Sequence, residues 1–360
     1  LAISLFKEMN VTKFCDQHVG NPITPVAETD LAWMIPKGTH TETQTLYCTL
    51  DADAFFFVQI AHANFGLGDN VQYTYRYYDR ATKTSIFRSN NLSGLELSDK
   101  NASSRSGPVT FKHLGDHAYE ISISKPDTVT IVFKPSCASY KLGSGRAAFG
   151  SGADAPYIGH AYTPRGTVTG SITTKGKAHS LDGTGFFVHA IQRDRPYNVA
   201  AKWNFAVLHS PRITLHLMEF QTPVAWNSEW VAQSALVVDN VIQSATPDAH
   251  MEPAESVQDP ESGYAPPTKM AFTWKGALSS GGKFEAKVNV PDPQLAGKID
   301  LLAQLPWLLR KIIQAVVTKP YNYQWYDHVD VDVTLFDADN NVVETIHEKA
   351  QLVHEVTFMN

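Results

Sequence analysis

The sequence is poor in cysteine, with Cys15, Cys48 and Cys137 the only three in 360 residues. Three cysteines are too few for a disulfide scaffold and match no zinc-site spacing, so an apolar core has to hold the fold. One disulfide with a free thiol and three buried thiols both remain open, and a free cysteine usually packs as a small core hydrophobe. Charge is also scarce: 18% of residues are Asp, Glu, Lys or Arg, the net charge is -6, and no basic run occurs. That argues against a broad nucleic-acid surface. There is no G-X-Y period and no sustained heptad, which excludes collagen and coiled coil. No stretch reaches the ~18 uncharged apolar residues of a membrane-spanning helix. Residues 299–317 come nearest, and they contain Asp300, Pro306, Arg310 and Lys311. Apolar residues, by contrast, make up 43% and aromatic ones 11%, with 22 Gly and 20 Pro. A turn-rich, aromatic chain of this length points to about two domains at roughly 100–200 residues each.

The familiar catalytic signatures are missing as well. Neither GxGxxG nor GxxxxGK[ST] occurs, and there is no GxSxG elbow. His347-Glu348 starts like HExxH, but Gln351 stands where the second His belongs. Residues 337–341 with Glu348 imitate an EF-hand ligand order, but Val342 takes the place of the required Gly, so a hairpin turn is the better reading. Asp327, His328, Asp330 and Asp332 look metal-like, yet alternation puts the last three on one solvated strand face.

The dominant pattern has a period of two. Val71, Tyr73, Tyr75 and Tyr77 alternate with polar residues, Val129, Ile131 and Phe133 alternate with Thr128, Thr130 and Val132, and Val329, Val331, Val333 and Leu335 alternate with polar residues again. Turn clusters at 66–70, 141–152, 174–177 and 279–282 separate the runs. Many short strands with regular turns predict an antiparallel sandwich or barrel. Residues 55–62 (FFFVQIAH) and 186–192 (FFVHAIQ) are apolar on both faces, so something must cover each side of these strands. Either two-sided core packing or a ligand cavity would do so. The likeness of the two runs hints at two related barrel halves. Residues 300–317 have helical apolar spacing interrupted by Pro306, and 1–14 form a second helical candidate that would dock as a terminal helix or lie on a membrane surface. Residues 244–269 are Pro-rich and acidic and read as a long loop.

A series of segments carries a resemblance: Thr41-Glu42-Thr43-Gln44-Thr45, Phe57-Val58-Gln59-Ile60-Ala61-His62, Gly170-Ser171-Ile172-Thr173-Thr174-Lys175 and Phe187-Val188-His189-Ala190-Ile191-Gln192. It continues in order through Ala200-Ala201-Lys202-Trp203-Asn204-Phe205, Met218-Glu219-Phe220-Gln221-Thr222-Pro223, Asp259-Pro260-Glu261-Ser262-Gly263, Lys319-Pro320-Tyr321-Asn322-Tyr323-Gln324 and Glu355-Val356-Thr357-Phe358. On these segments the chain, from about Ala32 onward, resembles the fungal survival factor one family. The resemblance implies an all-β fold of two consecutive lipocalin-like (calycin) antiparallel β-barrels with a few flanking helices. The expected division is an N-terminal segment over 1–30, a first barrel over 31–165, and a second over 166–360 that includes a helix at 298–317. The chain departs from the family at 158–165, at 193–198, at Lys202 in place of an Arg, and over 82–115. A kept scaffold with altered mouth positions resembles a divergent paralogue from secondary metabolism, similar to the fungal hetero-Diels–Alderases.

That resemblance implies a cofactor-free pericyclase joining a quinone-methide-type tropolone to a humulene-type sesquiterpene. The alternative it implies is a carrier of ceramide or another hydrophobic lipid. Positioning two apolar partners needs no metal and no covalent nucleophile, while a placed acid or base would help water leave a hydroxymethyl precursor. His189, flanked by Phe187 and Ile191, is a candidate donor, as are Lys202 beside Trp203, Glu219 in parity with Leu215 and Leu217, and His160 near the expected junction. Arg165, Phe187, Gln192, Trp203, Phe205, Tyr321, Tyr323, Gln324 and Trp325 are the expected binding residues. For each histidine a hydrogen-bonded core role is the simpler reading, for Lys202 an exposed amine, for Glu219 a salt bridge, and for the aromatics barrel packing. The ligand site is expected in the second barrel or between the two. The expected partner is a hydrophobic small molecule, with no nucleic acid and with peripheral membrane contact through the N-terminal segment. Sequons at Asn10, Asn91 and Asn101, and a chain that begins at Leu1, give the secretory pathway as the expected location; a cytoplasmic or peripheral endomembrane place is the alternative.

Overall fold

The structure is a computed structural model that describes residues 10–18, 21–66, 68–303, 310 and 319–359. The first sheet contains β1 (Val11–Thr12), β2 (Ile23–Pro25), β3 (His40–Leu50), β4 (Ala54–Asn64), β5 (Asp69–Asp79), β6 (Thr84–Leu92), β7 (Glu96–Ser98) and β8 (Ser103–Ser106). It continues with β9 (Val109–Gly115), β10 (Ala118–Ile123), β11 (Thr128–Pro135), β12 (Tyr140–Leu142), β13 (Arg146–Phe149), β14 (Tyr157–Thr174), β15 (Lys177–Ser180) and β16 (Gly183–Gln192). The second holds β17 (Lys202–His209), β18 (Ile213–Gln221), β19 (Trp230–Val238), β20 (Val241–Thr246), β21 (Ala249–Ser256) and β22 (Pro267–Ala277). It ends with β23 (Lys283–Val290), β24 (Leu295–Asp300), β25 (Tyr321–Phe336) and β26 (Val342–Phe358).

Both sheets are antiparallel meanders that curl back on themselves. In the first, β16 returns to pair with β3; in the second, β26 returns to pair with β17. Each curled sheet closes on its own core. Phe56, Tyr75, Phe111, Tyr119, Ile131, Phe133 and Phe187 fill the first, and Leu215, Met251, Phe272, Trp274, Trp325 and Leu352 the second. Closure of the second barrel brings β20 over Gly276, where a Cβ would fall 2.6 Å from Ser244 Oγ. The fold is therefore two lipocalin-like barrels in series, as the family resemblance implied.

A third apolar cluster lies between the barrels and joins Tyr47, Phe55, Phe57, Tyr162 and Phe186 to Phe205, Val207, Phe220, Tyr326 and Val353. It accounts for the strands that are apolar on both faces. Within FFFVQIAH, Phe56, Val58 and Ile60 face the first barrel's core while Phe55 and Phe57 face the second barrel. Within FFVHAIQ, Phe187 points inward and Phe186 and Val188 point across. These runs are not corresponding strands of two barrels. They are β4 and β16 of one barrel, each paired with β3.

Other expectations are corrected. Arg165 lies inside β14, so the change of sheet comes between Gln192 and Lys202 and not at 165. Much of 244–269 is strand, because β21 is an edge strand whose exposed outer half tolerates Pro253 and its glutamates. The expected helix at 298–317 begins as β24, paired with β25 through Asp300, and residues 304–309 and 311–318 lie outside the described residues. In the helical candidate at 1–14, Val11–Thr12 pairs with β13, and residues 1–9 lie outside the described residues. All three cysteines are free thiols. As expected, His328, Asp330 and Asp332 are exposed, and 337–341 form the β25–β26 turn.

The first barrel is plugged by the segment before β3. Leu31 and Trp33 lie in its core, with Gln44 Nε2 donating to the Leu31 carbonyl at 3.1 Å. Glu42, fully buried, accepts the Met34 and Ile35 amides at 2.8 Å each and the His189 Nε2 at 2.9 Å. Burial alone would push the Glu42 carboxyl up, but the His189 bond and charge and the two amides hold it below the ordinary carboxylate range.

Candidate ligand-binding site

Between the barrels, beside the aromatic seam, lies a cavity of about 210 Å³. Strand alternation builds its floor. On β25, Tyr321, Tyr323 and Trp325 point into the second barrel, so Asn322 and Gln324 point out of it, toward the first. Register places Glu355 of β26 opposite Gln324, and Thr357 opposite Asn322. The first barrel supplies Tyr47, Phe57 and Thr74 as the facing wall.

A hydrogen-bond chain fixes this floor. Gln324 Nε2 donates to Glu355 at 2.7 Å, and Asn322 Nδ2 donates to Glu355 at 3.1 Å and to Thr357 Oγ1 at 2.8 Å. Arg76, on β5 of the other barrel, donates through Nε to Gln324 Oε1 at 2.7 Å, which sets the orientation of that amide. Its Nη1 is taken by Ser85 at 2.8 Å and the Ala296 carbonyl at 3.0 Å. Gly297 permits this approach, since a Cβ there would lie 2.0 Å from Arg76 Nη1. Burial lowers the Arg76 guanidinium to about 10, so it stays charged at neutral pH. Burial also raises the Glu355 carboxyl above its ordinary range, against the opposing pull of Gln324, Asn322, Tyr47 and Arg76. Glu355 keeps some surface accessible, yet both barrels surround it closely enough for desolvation to dominate. The Tyr47 hydroxyl, desolvated and facing that carboxylate, is pushed well above its usual value. Asn322 Oδ1 is buried with no partner.

The mouth of the second barrel gathers a different set. Glu219 is buried there, accepting Asn204 Nδ2 at 2.6 Å, the Met251 amide at 3.1 Å and a His250 contact at 2.8 Å. Its partner is thus a histidine and not the Arg or Lys expected of a salt bridge. The bond to Glu219 raises His250. Burial lowers Lys202, whose Nζ stands 5.3 Å over the Phe358 ring. Tyr323 OH donates to Asp259 at 2.6 Å, and Lys298 reaches Asp259 at 3.0 Å and Glu261, so the 257–266 loop is tied across the mouth. The Tyr323 bond leads in holding Asp259 down at about 2.

The sequence-predicted residues therefore do not form one site. Lys202, Glu219, Tyr321 and Tyr323 sit at or within the second barrel's mouth, with Trp325 deeper in its core. Gln324 alone faces the inter-barrel cavity. Trp203 and Phe205 pack in the seam. Arg165 is a clamp: Nη1 donates to Ile213 O and Thr214 Oγ1 and Nη2 to Ser210 O and Pro211 O, each at 2.9 Å, all in the β17–β18 turn region. Phe187 is first-barrel core, and Gln192 ends β16 with its Nε2 unpartnered. His160 and His189 border a separate cavity of about 440 Å³. His189 is held there by Asp30 O at 2.8 Å and Glu42, while burial and the nearby His189 push His160 down to about 3. Asn10, Asn91 and Asn101 are exposed. Glu355, Asn322, Arg76 and Tyr47 were not singled out as site residues from sequence. Their signal was polar side chains alternating with a barrel-core face, which reads as solvent-facing unless a second barrel covers it. Among the described residues no group of three His, Cys, Asp or Glu side chains is placed to hold a metal, and no helix is long and apolar enough to cross a membrane.

The Svf1 family profile matches residues 5–360. The ceramide-binding protein svf1 of Schizosaccharomyces pombe is 28% identical over 351 residues, covering 94% of this chain and 91% of that protein. Its namesake svf-1 of Neurospora crassa is 28% identical over 348 residues, with the same coverages of 94% and 91%. Among solved structures, a putative AttH from Nitrosomonas europaea superposes with a TM-score of 0.60 at 13% identity, covering 93% of this chain and 99% of that one. Kievitone hydratase from Nectria haematococca gives 0.58 at 12% identity, covering 98% of each chain. CghA gives 0.57 at 10%, covering 98% of this chain and 99% of its own. These structural likenesses establish the two-barrel fold.

Proposed function

This chain belongs to the Svf1 family, and from that membership we propose that it binds and carries a hydrophobic lipid of the ceramide class. The observation that carries the reading is near-full-length similarity to proteins named as ceramide-binding. The architecture suits it: two barrels share an aromatic seam, and a small cavity with polar walls opens beside it. Such a site pairs an apolar surround with a few fixed polar groups, the usual composition of a small-molecule site.

A second reading, hetero-Diels–Alder joining of a tropolone quinone methide to a humulene-type sesquiterpene, draws on one feature. Glu355 is a carboxyl with a raised pKa, next to two oriented side-chain amides. Such a group could protonate a leaving hydroxyl, and the amides could hold the oxygen of the resulting diene. One pair of assays separates the readings. Titration with a fluorescent short-chain ceramide should show saturable 1:1 binding, and the protein should not accelerate cyclisation of a tropolone precursor with humulene alcohol. Acceleration without lipid binding would reverse that order.

A further inference from the structure

We propose that the inter-barrel cavity is a head-group site for uncharged lipids whose heads donate hydrogen bonds, and that it rejects phosphorylated heads. The proposal rests on the carrier reading and specifies which part of the lipid the cavity takes. A volume of about 210 Å³ equals roughly seven water molecules at ~30 Å³ each. It can hold a head with an amide and hydroxyls but not two long chains.

The chemistry of the walls selects the head. Asn322 is 6% exposed, and its Oδ1 is an acceptor with no partner. A buried acceptor left unmade costs about 1–3 kcal/mol, so an incoming hydroxyl or amide N–H is the natural complement. Glu355 presents further acceptor capacity beside it. No Lys or Arg is among the described residues lining the cavity. Arg76, which reaches Gln324 from the first barrel, commits its Nε and Nη1 to Gln324, Ser85 and Ala296. Asp300 on the rim is held by Arg310 at 2.9 Å. Among the described lining residues a phosphate would therefore meet a carboxyl and no Lys or Arg, at a large desolvation cost.

The test is equilibrium binding of short-chain ceramide and of its 1-phosphate to the full chain, in parallel with Asn322→Leu, Tyr47→Phe and Glu355→Gln. Wild type should prefer ceramide by at least roughly tenfold, or about 1.4 kcal/mol. Asn322→Leu should weaken ceramide binding roughly 5- to 30-fold, and Glu355→Gln should narrow the gap between the two lipids. Should Asn322→Leu fail to fold, Tyr47→Phe removes one hydroxyl with little change of shape and should still weaken ceramide several-fold. Equal binding of the two lipids to wild type, or ceramide binding unchanged in the folded variants, overturns the head-group assignment while the carrier reading stands. A wild type that binds neither lipid overturns both.

Discussion

Taking the protein from pH 6.5 to pH 5 should cost roughly 4–5 kcal/mol of folding stability through three buried histidines alone. Three histidines stitch the barrels together. His160 of β14 bonds Gln233 of β19 at 2.8 Å, His216 of β18 bonds Tyr140 of β12 at 2.5 Å, and His209 of β17 bonds Thr49 of β3 at 3.1 Å. Burial first, then neighbouring charge, pushes each of them down to about 3. Their folded values lie below the unfolded one, so the unfolded chain binds more protons between about pH 6.5 and 3, and stability falls as pH falls through that window. Each ring contributes up to about 1.4 kcal/mol per pH unit. The structure shows why protonation is resisted: all three rings are buried, and His216 Nδ1 has no partner, so an added proton there would meet no acceptor. His250 and Glu355 are raised in the fold and oppose the trend, gaining stability on acidification. Asp259 and Glu42, held low, lose theirs only nearer pH 4 and below. Denaturant midpoints at pH 7, 6 and 5 would measure the slope. His216→Gln, which keeps a donor and an acceptor but cannot titrate, should flatten it by about a third. A flat profile between pH 7 and 5 would contradict neutral histidines in the seam.

Arg165→Met should destabilise the protein by roughly 3–5 kcal/mol. The guanidinium satisfies three carbonyls and one hydroxyl in the β17–β18 turn region of the other barrel. Methionine keeps much of the apolar stem but removes the guanidinium from those acceptors; the Ile213 carbonyl keeps the Ser210 amide at 2.9 Å, and the loss is about 1–3 kcal/mol for each of the others that water cannot reach. Arg165→Lys should recover only part of the loss, because an ammonium cannot span four acceptors in one plane. Denaturation midpoints would give the answer, and a midpoint within about 1 kcal/mol of wild type would show that the clamp is incidental.

Strand character and the exposure of His328, Asp330 and Asp332 were legible because period-two alternation is a local signal, while the two-barrel fold was legible only through the family resemblance. The acidic stretch at 244–269 was not legible as strand, because β21 is defined by its pairing partner and not by its own composition; of the expected helix at 298–317, only the start at 298–300 is overturned, where β24 pairs with β25. The candidate site was legible only in fragments. Gln324 was found as one of four neighbouring wall residues, but alternation sends it out of the barrel while Tyr321, Tyr323 and Trp325 go in. Glu355 and Asn322 escaped because burial of an outward polar residue depends on a second barrel some three hundred residues of chain away from Tyr47 and Arg76. The expected substrate-binding Arg165 has its Nη donors turned to the protein's own turn, a role no spacing encodes.

Photocrosslinking tests the central claim most directly. A short-chain ceramide carrying a diazirine next to its amide should label peptides of both barrels around the cleft, near Tyr47 and Phe57 on one side and Asn322 and Glu355 on the other. Excess unlabelled ceramide should compete this labelling away. Adducts confined to the interior of a single barrel, or labelling that excess ceramide does not reduce, would contradict a head-group site between the barrels.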